Sequence, residues 1–578
     1  MKILLLHPIS RFKNIKEDRE GVGYPTGIAY IGSYLKQWGH EVTILDNNQK
    51  CYSKEKLIRF LRESDCEVVG IGAMVNSYNQ VLQLSKLVKQ TKDCPVILGG
   101  PMATYSPKVI LENMDVDVCV LGEGEETSAE LFEKWPDYYD VPGIAYLDRN
   151  GKFVRTPPRI CKKARDEYPY PGYDDGLLDI SNYWRGTLVT WETHIRNEKL
   201  MRNYRRRADG IKIATMVTAM GCPYQCTFCT NSTDYNKARI RTPENVAKEA
   251  QYLKDKYGVG GIRFDDDLLI LMKDRTLELC RELKKTGLLW SGQSVGRATA
   301  DEEVVKALAE SGCVGYGIGI ESGSDYMLKL MKKGSRARDY KAAYENAIKY
   351  GLGVRVQFLY GIPGETVETL QETIDFFKET GMPPRRFNRL LPMPGSELYD
   401  QCVAQGIITN EHDYLNITSL LAGYTSRSIL FNITEMTDEE YEENMEWVES
   451  TMYGNYERQV KSDPMYWYYL GTHVLRKIIQ IKPVLRRIAK VFSRDPFKWH
   501  SKRIVHDSEQ VEKYVREEFV NYYPELFPDP EKKGFINKPL KQDERMLKSV
   551  AMQFPRKSGS AAAPAYSQAS GYSKILIR

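Results

Sequence analysis

Short apolar runs of strand length alternate with amphipathic stretches of helix length along the first part of this chain, and no hairpin signal interrupts them. The series reads KILLLH (2–7), TGIAYIGSYLKQW (26–38), EVTILD (41–46), KEKLIRFLRES (54–64), EVVGIGA (67–73), NQVLQLSKLVKQT (79–91), CPVILGG (94–100), SPKVILENM (106–114) and DVCVLG (117–122). Strands joined through helices run parallel and are buried on both faces, so the pattern predicts an α/β, doubly wound parallel sheet. Such sheets take ligands at the carboxyl ends of their strands. Small residues gather there: Gly72 and Ala73, with Ser77 beyond them; Gly99, Gly100 and Pro101; Gly122 and Gly124. Glycine lets a large flat ligand approach the backbone, and it also makes tight turns with no ligand involved. Neither GxGxxG nor GxxxxGK[ST] follows the first strand, so the nucleotide fingerprints are missing.

A second alternation begins at IATMVTA (213–219). Strands GIRFDDD (261–267), LLWSGQ (288–293), VGYGIGIESG (314–323) and VRVQFLYGIPGET (354–366), and the last segment RFNRLLPMPGSELY (386–399), are each reached through a helical stretch, for example TPENVAKEAQYLKDKY (242–257) and DEEVVKALAESG (301–312). About six strand–helix repeats fit a partial β/α barrel, and barrels work from the carboxyl ends of their strands. Asp266, Asp267, Glu321, Ser322 and Gly361 fall at such ends, with Pro363 just after. Carboxylates there also cap the following helix, and Asp265 is read that way.

The chain has 11 cysteines, and three of them lie in one short stretch, GCPYQCTFCT (221–230). Cys222, Cys226 and Cys229, spaced CxxxCxxC, follow directly on an apolar strand. Thiolates are the ordinary ligands of iron–sulfur clusters. Three from one loop hold three corners of a four-iron cube and leave the fourth iron open. A structural zinc site would need a fourth Cys or His at suitable spacing; no second CxxC exists, and the next cysteine is Cys280, in a helical stretch.

This spacing is the signature of the radical S-adenosylmethionine (SAM) superfamily. The preceding segments PTGIAYIGSYL (25–35), VILGGPMAT (96–104) and VLGEGEETSAELF (120–132) resemble the cobalamin-binding domain found before many radical SAM barrels. The resemblance, over roughly residues 1–410, is to the cobalamin (vitamin B12)-binding radical SAM enzymes, which include class B methyltransferases and the anaerobic Mg-protoporphyrin ester cyclase. It implies a [4Fe–4S] cluster on Cys222, Cys226 and Cys229, and SAM on its open iron. Asp266 or Asp267 would hold the SAM amino group, Glu321 and Ser322 would meet its ribose, and Gly361 and Pro363 would line its adenine. Gly72, Ala73, Ser77, Gly99, Gly100, Pro101, Gly122 and Gly124 would cradle cobalamin. The DxHxxG motif that supplies a lower cobalt ligand elsewhere is missing, and His7 is read as an ordinary loop residue. The implied reaction is reductive cleavage of SAM to a 5′-deoxyadenosyl radical, hydrogen abstraction from an unactivated carbon, and methyl transfer from methylcobalamin. A cyclase or rearrangement enzyme of the same architecture is an alternative, and a non-catalytic cobalamin or cluster-binding sensor is one of another class. A methylthiotransferase would need further cluster cysteines in the N-terminal domain, which are not there.

Net charge is +5 on 578 residues, which gives no reason to expect nucleic acid as a partner. The expected partners are a small-molecule or lipid-like substrate and an electron donor of the flavodoxin or ferredoxin type. No apolar run approaches the roughly 20 residues of a membrane span, and a cytoplasmic location is expected. Residues 465–494 are basic and amphipathic, which adds peripheral membrane contact as an expectation. The run Arg205–Arg207 is read as a solvated or cobalamin-side surface. The expected domains are 1–140 (cobalamin-binding, Rossmann-like), 141–210 (a hairpin closed by Asn150-Gly151, then a linker), 211–400 (barrel), 401–550 (helical) and 551–578 (disordered tail).

Overall fold

The computed structural model describes residues 1–9, 23–173, 175–184, 188, 211–230, 238–383, 387–422, 431–461 and 540. Arg205–Arg207, the basic stretch 465–494 and the tail 551–578 lie outside these residues.

The first sheet contains β1 (Lys2–His7), β2 (Glu41–Asp46), β3 (Val68–Gly72), β4 (Val96–Gly99), β5 (Val118–Val120), β6 (Ile144–Leu147) and β7 (Phe153–Arg155). Its order is β2-β1-β3-β4-β5-β6-β7. Pairing is parallel from β2 to β5 and antiparallel from β5 to β7. The doubly wound expectation is visible residue by residue in β1. Ile3 and Leu5 enter one apolar core, while Leu4 and Leu6 enter the other. The hairpin around Asn150-Gly151 forms as its turn chemistry dictates, with Gly151 at φ 75°. It lies outside the expected bounds 1–140 yet belongs to the first sheet, because β6 pairs with β5. The expected helix 106–114 is preceded by a separate short helix, Pro101–Tyr105, and itself starts at Pro107. A proline opens a helix readily but cannot donate the hydrogen bond that would join two into one.

The second sheet contains β8 (Lys212–Met216), β11 (Val259–Phe264), β12 (Leu289–Ser294), β13 (Cys313–Glu321), β14 (Gly353–Tyr360) and β15 (Phe387–Arg389). Its order is β15-β14-β13-β12-β11-β8, all parallel, an open partial barrel. Its helices carry ordinary stop and start signals. The helix Pro243–Tyr257 has Thr242 as cap, Pro243 at its first position and Gly258 left-handed at its end. The strand expected over 213–219 stops at Met216. Residues Ala219–Met220 (β9) pair instead with Arg239–Ile240 (β10) in a small antiparallel ladder. The three cysteines lie in the connection between these two strands.

The described C-terminal part is helical, with Glu411–Ala422 and Asp438–Lys461. The first of these packs back on the N-terminal unit: the Tyr78 hydroxyl bonds His412 Nδ1 at 2.8 Å, and Asn79 donates to Asn416 Oδ1 at 2.6 Å. No helix of the described residues is long and apolar enough to cross a membrane.

Candidate functional site

The cysteine loop is held from three sides. Thr227 N–H donates to the Met331 carbonyl at 3.1 Å, Leu398 N–H donates to the Thr227 carbonyl at 3.0 Å, and the β9–β10 ladder fixes its entry. Gly334, at φ 72°, brings its backbone against the Tyr224 ring, where a Cβ would come within 2.9 Å. Cys222, Cys226 and Cys229 form no disulfide, and Cys226 is buried. Burial pushes the Cys226 thiol up to about 11 and raises that of Cys222. Loading a metal therefore displaces protons. Among the described residues no three His, Cys, Asp or Glu side chains gather closely enough for a single ion. A cube places its thiolates on separate irons, so the donor set suits a cluster and not zinc.

The acids expected at strand ends separate into different tasks. Asp266 is fully buried beneath the cysteine loop's entry, and its Oδ1 accepts the N–H groups of Thr218 and Ala219, each at 2.6 Å. That bond ends β8 at Met216 and turns the chain into β9. Its other oxygen, Oδ2, has no partner, and burial raises the carboxyl to about 6. Asp267, the next residue, is exposed. Asp265 is not a helix cap. The next helix begins only at Lys273, with Met272 before it, and Asp265 accepts from Arg263 Nε at 2.8 Å. Replacing Asp266 by Ala is expected to strand the buried N–H of Thr218, at about 1–3 kcal/mol, and the part-buried N–H of Ala219, at less. Asp266→Asn keeps an acceptor oxygen and should hold more iron and a higher melting temperature. Equal iron content and equal melting in the two variants would contradict this role.

Glu321 ends β13 in the left-handed region, at φ 70°. A non-glycine residue held there costs on the order of 1–2 kcal/mol, and such strain clusters at functional sites. Its carboxylate pairs with Lys333 Nζ at 3.3 Å. The Lys333 ammonium also lies 5.6 Å from the Phe228 ring centroid, inside the cysteine loop. Lys333 was not visible as a site residue in the sequence, where it is one lysine in a charged helix end. Ser322 is buried in the turn after Glu321, where its hydroxyl meets Thr373 Oγ1 at 3.2 Å and accepts from Ser324 N–H at 3.1 Å.

Gly361, at φ 89°, follows β14, and a Cβ there would come within 2.3 Å of the Tyr441 hydroxyl from the helix Asp438–Lys461. Pro363 lies in the same turn. Gly361 N–H donates to Glu365 Oε2 at 2.7 Å. Burial pushes the Glu365 carboxyl up to about 8. The folded protein therefore keeps this proton at pH values where the unfolded chain has released it. The stabilisation is complete below the ordinary value of 4.5 and is lost as pH rises through 8. Relative to Glu365→Gln, the wild-type melting temperature is expected to fall progressively between about pH 4.5 and about pH 8 and to level off above that. Parallel melting curves for the two proteins would contradict it.

The glycine edge of the first sheet is drawn together by hydrogen bonds. Ala73 N–H donates to the Gly99 carbonyl at 3.2 Å, Met102 N–H to the Ala73 carbonyl at 3.3 Å, and Gly122 N–H to Thr104 Oγ1 at 2.9 Å. Gly100 is required by its φ of 90° and by the Ala73 carbonyl, 2.7 Å from where its Cβ would stand. Pro101 opens the helix that follows, and Ser77 is buried in the turn after β3. Gly72 and Gly124 face Ile28 and Ile31 of the helix Thr26–Gln37, so helix packing already uses their missing side chains. His7 is not free to act alone: its Nδ1 meets Asp46 Oδ1 at 2.9 Å, and Asp46 also accepts from the Tyr183 hydroxyl at 2.8 Å.

A parallel sheet with a small-residue edge, followed by an open barrel with a three-thiol loop, defines a cofactor-dependent enzyme of two ligand-binding units. The comparisons agree. The radical SAM superfamily model matches residues 216–377, and the B12 binding domain model matches residues 13–132. An uncharacterized methyltransferase of Pyrococcus horikoshii is 30% identical over 440 residues, covering 74% of this chain and 90% of that protein. The cytidylyl-2-hydroxyethylphosphonate methyltransferase of Streptomyces wedmorensis is 29% identical over 459 residues, 72% of this chain and 84% of its own. The same fold is seen in TsrM, a radical SAM methyltransferase from Kitasatospora setae solved with cobalamin and a [4Fe–4S] cluster. Its TM-score is 0.55 at 20% identity, over 71% of this chain and 76% of that one. The chain belongs to the cobalamin-dependent radical SAM enzymes, the branch of the superfamily that carries a B12-binding domain. It is an enzyme, and its cofactors are a [4Fe–4S] cluster, SAM and cobalamin.

Proposed function

We propose that this protein is a methyltransferase acting on an unactivated carbon of a small-molecule substrate. Bound together, the cluster, SAM and cobalamin supply an electron, a carbon-centred radical and a methyl group, respectively. Cys222, Cys226 and Cys229 hold the cluster, on a loop whose backbone is anchored at Thr227 to Met331 and Leu398. Asp266 positions that loop through Thr218 and Ala219. Asp267, exposed beside it, takes the SAM amino group. Glu321, strained and paired with Lys333, faces the polar end of the same ligand, with Ser322 holding the turn that presents it. Gly361 and Pro363 line the adenine side. The edge Gly72, Ala73, Ser77, Gly99, Gly100, Pro101, Gly122 and Gly124 takes cobalamin, with Gly100 the tightest point of approach.

One observation supports this reading above others. The three-cysteine loop and the small-residue edge belong to units that are in direct contact, since Tyr105, in the helix after Gly100, lies against Gly395 of the barrel. A Cβ on Gly395 would come within 2.4 Å of that ring. Close positioning of two reacting centres is what such a scaffold contributes to rate. A low-potential electron donor of the flavodoxin or ferredoxin type completes the system.

The test is anaerobic incubation of the loaded protein with SAM, dithionite and candidate substrates, followed by mass spectrometry. Formation of 5′-deoxyadenosine together with a product heavier by one methyl group is expected. Deoxyadenosine with an unmethylated, cyclised or rearranged product would replace methyl transfer by ring formation or rearrangement.

A further inference from the structure

We propose that Glu123 and Arg239 form an interdomain clamp that sets the cysteine loop in a fixed position against the cobalamin edge. The inference rests on the reading above. Glu123 stands between Gly122 and Gly124, at the carboxyl end of β5. Arg239 stands in β10, directly opposite Met220 of β9, and Met220 leads straight into Gly221 and Cys222. The Arg239 guanidinium donates to Glu123 Oε2 and to the Lys163 carbonyl. The same carboxylate oxygen accepts from Arg165 Nη1 at 3.1 Å, and Arg165 also donates to Glu125 Oε1 at 2.8 Å.

A second ion pair, inside the barrel unit, lies two residues along and touches the first unit through Tyr30. Arg239 and Arg241 fall on one face of the extended strand. Arg241 pairs with Glu249 and reaches the Tyr30 hydroxyl at 3.4 Å, while Tyr173 donates to Glu249 Oε1 at 2.9 Å. Thus Tyr30, Glu123 and Glu125 come from the first unit and Arg239, Arg241 and Glu249 from the second, with Arg165 and Tyr173 from the connection. Three arginines face three glutamates, and Arg165, Arg241, Glu125 and Glu249 are almost fully withdrawn from water.

A buried ion pair adds little net stability over a well-packed apolar contact, but its partners tolerate only one geometry. That is a poor device for holding two units together and a good one for fixing how they sit. The elements it joins are not arbitrary. One is the strand end assigned to cobalamin; the other is the ladder that carries the cluster cysteines. Glu123 and Arg239 are positioning residues, since neither is assigned to a cofactor.

The test uses full-length protein loaded anaerobically with iron, sulfide and cobalamin, and poised so that cob(II)alamin and the reduced cluster coexist. Electron paramagnetic resonance then reads the spin–spin interaction between them. In the wild type a coupled signal is expected. In Arg239→Met the iron and cobalamin contents should stay at the wild-type level while the coupled signal weakens and broadens, because the dipolar interaction of two spins falls with the cube of their separation and a released clamp leaves that separation unfixed. Arg239→Lys, which keeps the charge, should recover part of it. If Arg239→Met does not accumulate, the isosteric Glu123→Gln reads the same quantity with the same expectation. A loaded Arg239→Met or Glu123→Gln protein with the wild-type coupled signal overturns the clamp alone. A wild type that holds both cofactors without any coupled signal also overturns it. A wild type that takes up no cluster or no cobalamin contradicts the functional reading itself, and the clamp with it.

Discussion

Replacing Cys222, Cys226 and Cys229 together by alanine is expected to give a folded chain that takes up almost no iron and makes no 5′-deoxyadenosine above background. Iron needs thiolates, and among the described residues no other cluster of His, Cys, Asp or Glu offers a substitute. The fold should survive, because the loop is held by its backbone at Thr227 and by the β9–β10 ladder rather than by the cysteine side chains. Two of the three cysteines are only partly buried, and alanine in place of a small thiol leaves little empty volume. Iron analysis, visible absorbance and circular dichroism measured on one preparation separate the two effects. Iron at the wild-type level in the triple variant would show that these cysteines do not hold the cluster.

Gly100→Ala is expected to destabilise the N-terminal unit by about 3 kcal/mol and to abolish retention of cobalamin. The backbone at Gly100, φ 90° and ψ −174°, is one that essentially only glycine adopts, and it costs an alanine on the order of 1–3 kcal/mol by itself. Here the new Cβ would also lie 2.7 Å from the Ala73 carbonyl oxygen, an atom of the neighbouring strand end that accepts from Met102 N–H. Relief of that clash must push β3 and β4 apart at their carboxyl ends, which is the edge proposed for cobalamin. Gly39→Ala is the control: its φ is 83°, but nothing lies within 4 Å of the added Cβ. It should show the strain without the clash and should keep cobalamin. Thermal melting and corrinoid content of the two variants, compared side by side, check both parts. Equal corrinoid content in both would remove Gly100 from the site.

The alternation of strands and helices was legible where a strand, like Ile3–Leu6, is apolar at successive positions, as strands buried on both faces are. The cysteine loop was legible because its ligands are close in sequence. Legibility ended where a role depends on a distant partner. Glu123 and Arg239 are 116 residues apart, and Arg165 reaches Glu125 across 40. Lys333 gains its meaning only when Glu321 and Phe228 arrive beside it. The acids at 265–267 show the same limit in miniature. Spacing placed all three at a strand end, yet one pairs with Arg263, one binds backbone inside the protein and one faces solvent. Strand boundaries failed for a related reason. The apolar run 213–219 reads as one strand until the buried carboxylate of Asp266 takes the N–H groups of Thr218 and Ala219 and bends the chain.

The most direct test of the account is the cofactor content of the protein purified without oxygen, with iron, sulfide and cobalamin supplied. The account predicts about four irons and about one corrinoid per chain, with 5′-deoxyadenosine formed when SAM and dithionite are added. Zinc in place of iron, or a chain that binds neither iron nor corrinoid, would contradict it.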